Sequence, residues 1–142
     1  MVNQTRILED VKIDVKLKIA ALWATVMLLF AYGDIFGYFR PGFIGEIMAG
    51  KVAGNQVDQI FLMFTAAYVT IPSLMVFLSL VLKPGISRPA NIVLSIAYAA
   101  SILLFCVGES YAYYIFLSVL ECVLLLAIAW YAWKWPKQES PR

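Results

Sequence analysis

Histidine is absent from the 142 residues. That gap removes Ser-His and Cys-His nucleophiles, histidine-held haem and the commonest zinc sites. Cysteine is scarce: Cys106 and Cys122 form no CxxC pair, so thiol redox chemistry of that type is unsupported. By helical rise the two sit at depths about 15 Å apart, too far for a disulfide, and are expected to be free thiols acting as small hydrophobes. No glycine-rich phosphate loop is present, and neither a metal nor a cofactor is expected. Charge is also thin, at 14% of residues with a net +2, which gives no reason to invoke nucleic acid.

What fills the chain instead is apolar. Hydrophobic residues make up 63%, and the mean hydropathy is +0.83, values outside the range of a water-soluble domain. Four apolar runs, at about 19–39, 59–82, 90–107 and 112–133, each approach the roughly 20 residues needed to cross a bilayer as helix. They are too long and too uniformly apolar for barrel strands. The expected fold is all-α, an integral membrane four-helix bundle forming a single domain over 1–142. A polar stretch precedes the first run, which is read as a retained span rather than a cleaved signal.

Basic residues predict the orientation, since short cytoplasmic loops carry the excess of lysine and arginine. Arg6, Lys12, Lys16 and Lys18 precede the first span. Lys83 and Arg88 lie between the second and third, and Lys134, Lys137 and Arg142 follow the fourth. Only Arg40 and Lys51 fall on the other side. Both termini are therefore expected in the cytoplasm, with the protein in the cytoplasmic membrane. Trp130, Trp133 and Trp135 would form an inner aromatic belt, and Tyr111, Tyr113 and Tyr114 an outer one.

Residues 1–18 are expected to form an amphipathic arm, helical at the interface, with Asp14 and Lys18 as a supporting pair and anionic lipid as a weaker possibility. Residues 40–58 read as an outer loop containing a short interfacial segment around Ile44, Ile47 and Met48, either a passive connector or a mobile cover. Asn55 is the expected N-cap of the second span, with Asp58 in its first turn. Pro72 removes one backbone donor, frees the carbonyl of Tyr68 and predicts a kink. The stretch "LLFAYGD", ending at Asp34, recurs as "LLFCVGE", ending at Glu109, which leaves open either a two-hairpin repeat or coincidence.

Polar side chains fall into stripes. Thr65, Tyr68, Pro72 and Ser79 share a face of the second span; Asn91, Ser95, Tyr98 and Ser101 share one of the third; Tyr114, Ser118 and Glu121 follow helical spacing on the fourth. Asp34 and Tyr38 pair on the first. Such stripes turn inward, and hydroxyl stripes are ordinary interhelical glue worth roughly 0.6 kcal/mol per bond. Glu121, within "SVLECVLLL", is harder to account for. An ionised acid near the midplane costs at least about 2.5 kcal/mol, and no base lies near it in sequence. It is expected either to be protonated, donating a bond between helices, or to bind a proton or cation in passage. Asp34 and Glu109 lie nearer the outer end, as an acidic mouth or a solvated rim.

Together "TRILEDVKIDVKLKIAALWA", "YGDIFGYFRPG", "IPSLMVFLSLVLKP" and "WYAWKWP" resemble an uncharacterised family of small four-helix membrane proteins from bacteria and archaea, classed as a domain of unknown function. The resemblance covers nearly the whole chain. It implies four spans and carries no activity, substrate or assigned site. By architecture the chain is also similar to small multidrug transporters and DoxX-like proteins, but it lacks the first-helix glutamate setting of the former.

The leading functional expectation is a proton- or cation-handling transporter or channel-like protein, acting as a homo-oligomer among membrane lipids. Its candidate ligand-binding residues are Glu121, Asp34, Glu109, Ser118, Tyr114, Tyr68 and Tyr98. The alternative is a non-catalytic module that binds a lipid or a partner protein. A lipid-modifying enzyme using Glu121 or Asp34 comes third.

Overall fold

The computed structural model describes residues 10–137. Four long helices carry the chain back and forth: α1 (Val15–Gly37), α3 (Gln59–Val81), α4 (Pro84–Phe105) and α5 (Ala112–Trp133). Between α1 and α3 lie a short helix, α2 (Phe43–Met48), and a hairpin of β1 (Lys51–Val52) with β2 (Asn55–Gln56). The four long helices are long and apolar enough to span a membrane. Only 11–28% of each apolar window is buried inside the protein, so side chains such as Phe64, Leu104 and Phe116 face outward where lipid would cover them. The chain is a multi-pass membrane bundle.

For brevity, the end carrying Lys16, Lys83 and Lys134 is termed the basic end, and the opposite one the hairpin end. α1 packs along both α3 and α5, and α5 packs along α4. α3 and α4 follow one another through only Leu82 and Lys83, yet touch sparsely.

Local chemistry explains most helix ends. Asp14 caps α1, its carboxylate accepting from the Lys16 backbone N–H at 2.8 Å. Pro84 opens α4 at a position where its missing N–H is harmless. Two cations close helix C-termini belonging to other helices. Lys16 Nζ donates to the carbonyls of Leu80 and Leu82 at the end of α3, and Arg88 donates to those of Ala132 and Trp133 at the end of α5.

Some expectations change. Residues 10–14 are irregular rather than helical, and the rest of the arm up to residue 9 lies outside the described residues. Helix α4 begins at Pro84, six residues before the apolar run, and Arg88 in its first turns directs its charge onto the α5 terminus. Asp58, not Asn55, caps α3, accepting from Phe61 N–H at 2.7 Å, since Asn55 is used in the hairpin. That hairpin, absent from the sequence reading, turns on Ala53 and Gly54, both at positive φ. The twin heptapeptides do not share a conformation: Leu28 to Asp34 is helical throughout, whereas α4 stops at Phe105 and Gly108 turns left-handed at φ 84°.

The core lies toward the basic end, where Ile19, Trp23, Val26, Leu125, Ile128 and Ala132 are fully enclosed. At its centre is Asn91. Its Oδ1 accepts from Trp23 Nε1 at 2.7 Å and Ser79 Oγ at 3.0 Å, and its Nδ2 donates to the carbonyl and hydroxyl oxygens of Ser87. One amide thus joins α1, α3 and α4. Asn91→Leu should strand the Trp23 and Ser79 donors and lower stability by about 1–3 kcal/mol. Thermal unfolding in detergent checks this, and a wild-type melting curve would refute the hub.

Candidate functional site

The hairpin-end half is built differently. Between the four long helices lies a cavity of about 200 Å³, room for roughly six waters. α1 contributes Gly33 and Asp34, α3 contributes Thr65 and Tyr68, and α5 contributes Tyr114, Ser118 and Glu121. Phe30 and Phe105 add aromatic walls.

Five of the seven residues anticipated from sequence therefore share one space. By helical rise Asp34 sits about 5 Å from the hairpin end of α1 and Glu121 about 14 Å from that of α5, so one acid stands near the mouth and the other near mid-bilayer depth. Glu121 is only 6% exposed. Among the described residues no side chain or backbone group hydrogen-bonds to it, and no fully enclosed side-chain N or O atom lacks a partner, so its carboxyl opens into the cavity. A carboxyl in that position can take up a proton or face a cation.

The other two residues are placed elsewhere. Tyr98 lies beneath the cavity, its ring 4.8 Å from that of Tyr68 and edge-on to Trp23. Its hydroxyl donates to the Tyr68 carbonyl at 2.7 Å, the group left free by Pro72. Ser101 Oγ donates to the Tyr98 carbonyl, so its oxygen is left to accept from the Tyr68 hydroxyl at 2.7 Å. This reciprocal pair ties α3 to α4 along a seam where their backbones hardly meet. Trp23, below Tyr98, is fully buried, and the cavity ends there.

Glu109 stands outside the cavity, in the turn between α4 and α5. Its Oε2 accepts from both terminal nitrogens of Arg40 at 3.1 Å, and its Oε1 accepts the backbone N–H groups of Ser110 and Tyr111. Arg40 also donates to Tyr113 Oη at 2.6 Å and lies over the rings of Tyr111, Tyr113 and Tyr114. The tyrosines expected as an outer belt thus surround an arginine, joining the end of α1 to the start of α5. This clamp was not legible in sequence, because Arg40 and Glu109 are 69 positions apart. None of the α2 side chains is buried, and none lines the cavity. Among the described residues no group of three or more Cys, Asp or Glu side chains could hold a metal ion.

Burial pushes the Glu109 carboxyl up, but the N–H groups of Tyr111 and Ser110 and the Arg40 guanidinium outweigh it and hold the group below its ordinary value of 4.5. A carboxyl depressed in the folded state stabilises above its unfolded value and loses that contribution as pH falls through the folded one. Below about pH 4.5 the wild type should therefore lose melting temperature faster than Glu109→Gln. Parallel pH profiles for the two proteins would show that the clamp carries no stability.

No curated protein and no solved structure matches the chain. A model of the family of unknown function DUF6326 matches residues 6–141, nearly the whole of it. On that match, and with four membrane-length helices in place, the chain belongs to the DUF6326 family.

Proposed function

We propose that the protein handles protons or small monovalent cations, protonated amines included, which reach Glu121 through the cavity from the hairpin end. The observation that carries this reading is the state of Glu121: almost completely buried, it faces an open cavity rather than a hydrogen-bonding partner. The buried polar groups toward the basic end, Ser79, Ser87, Asn91 and Ser95, are bonded within the protein, whereas Ser118, one turn from Glu121, lines the cavity with it. A carboxyl kept only as interhelical glue would be bonded likewise.

The surroundings favour a cation. Asp34 shares the cavity and adds a second acid, while Phe30, Tyr68, Phe105 and Tyr114 supply ring faces of the kind that hold ammonium groups. The volume admits a small amine or a few waters. In this reading the hairpin end faces outward, as the charge bias of the loops implies. Because the cavity is blind below Tyr98, passage across the membrane requires α3 and α4 to part along their seam, or a second copy to complete the path.

Glu121→Gln keeps the shape and removes the charge. It should reduce cation-driven or proton-driven flux in proteoliposomes by about ten- to a hundredfold, the loss of a charged contact worth roughly 1.5–3 kcal/mol, with melting unchanged. Wild-type flux in this variant would remove Glu121 from the mechanism and favour the non-catalytic binding module.

A further inference from the structure

The Glu121 cavity is not the only hollow that gathers charge. At the basic end, Lys12, Lys18 and Lys134 line a pocket of about 400 Å³ together with Val15, Tyr131 and Pro136. It lies where α1 begins and α5 ends, at the level where lipid headgroups would meet the protein. Three lysines lining one hollow concentrate positive charge there, which an anion would offset. The one acid in the lining, Asp14, caps α1 through the Lys16 N–H, and its single negative charge offsets only one of the three lysines. Lys16 itself is turned to the α3 carbonyls. Among the described residues the one ion pair is Arg40 with Glu109, at the opposite end, so Lys12, Lys18 and Lys134 have no carboxylate partner.

Aromatic rings help to place these charges. Lys18 Nζ stands 5.4 Å from the centre of the Tyr131 ring and Lys134 Nζ 4.0 Å from that of Trp130. Ammonium groups are compact point charges suited to phosphate, and the pocket combines them with apolar wall from Val15 and Pro136. A basic recess beside an apolar helix matches a molecule that is anionic at one end and apolar at the other.

We propose that this pocket binds a phosphate-bearing anion, with Lys12, Lys18 and Lys134 around the phosphate and the Tyr131 side of the pocket against its organic part. The chemistry is shared by the headgroup of an anionic phospholipid and by a soluble phosphate monoester. The site is separate from the Glu121 cavity and does not depend on the function proposed for it.

Native mass spectrometry of the full-length protein in detergent tests the assignment, with phosphatidylglycerol, phosphatidylcholine and soluble glycerol phosphate as probes. Each lysine near a headgroup is worth about fivefold in binding, so phosphatidylglycerol should be retained over phosphatidylcholine by tenfold or more. In Lys12→Gln/Lys18→Gln/Lys134→Gln the two lipids should bind equally. Lys83→Gln, which removes a basic-end charge outside the pocket, should leave the preference intact, as should Glu121→Gln. Displacement of phosphatidylglycerol by glycerol phosphate would assign the site to soluble phosphates as well, and failure to displace it would assign the site to lipid. The proposal is overturned if the wild type shows no preference and glycerol phosphate does not bind. It is equally overturned if the triple variant keeps the wild-type preference, or if Lys83→Gln weakens it as much as the loss of a pocket lysine.

Discussion

Asn91 uses both ends of its amide inside the bundle, and the placement of the helices follows from that. Its carbonyl oxygen takes donors from α1 and α3 while its nitrogen bonds back within α4, so three helices meet at one fully buried side chain. Lipid offers no substitute partner for any of these groups. With the basic-end half closed in this way, polar groups without partners collect in the other half, where the helices leave a cavity.

The cavity is bounded by two further devices. Below it, Tyr98 answers the carbonyl released by Pro72, and the Tyr68 hydroxyl answers Ser101, so a backbone defect becomes a link between helices that otherwise barely touch. Beside its mouth, Arg40 and Glu109 hold α1 to α5, two guanidinium N–H groups meeting one carboxylate oxygen within a frame of tyrosines. Glu121 and Asp34 are left facing the space between, which is why charge chemistry is assigned to them and not to Glu109.

Much of this was readable from the chain because the bilayer imposes it. Run length marks the spans, and polar spacing on α4 and α5 correctly placed Asn91, Ser95, Tyr98, Ser118 and Glu121 on buried faces. The orphaned Tyr68 carbonyl follows from Pro72 alone, but its partner does not, since nothing local connects Tyr98 to a residue 30 positions away. The same distance problem hid the Arg40 clamp and the role of Trp23, whose indole N–H was invisible among apolar neighbours. Charge doing local work was harder to read: α4 starts before the apolar run at Arg88, and the cap of α3 is Asp58 rather than Asn55. The repeat of Leu28–Asp34 at Leu103–Glu109 misleads for a related reason: glycine continues the helix in the first copy and ends the turn in the second.

The pairing of the helices also orders their assembly. α1 and α3 pack together, as do α4 and α5, while the long contact between the two pairs is that of α1 with α5, the first long helix with the last. A chain emerging from its N-terminus can form the first pair while the rest is still being made. Asp34 then waits on an unfinished surface, and the wall that carries Ser118 and Glu121 arrives only with the final helix. The acidic cavity thus waits for the final helix, and a chain that stops short of α5 never has it.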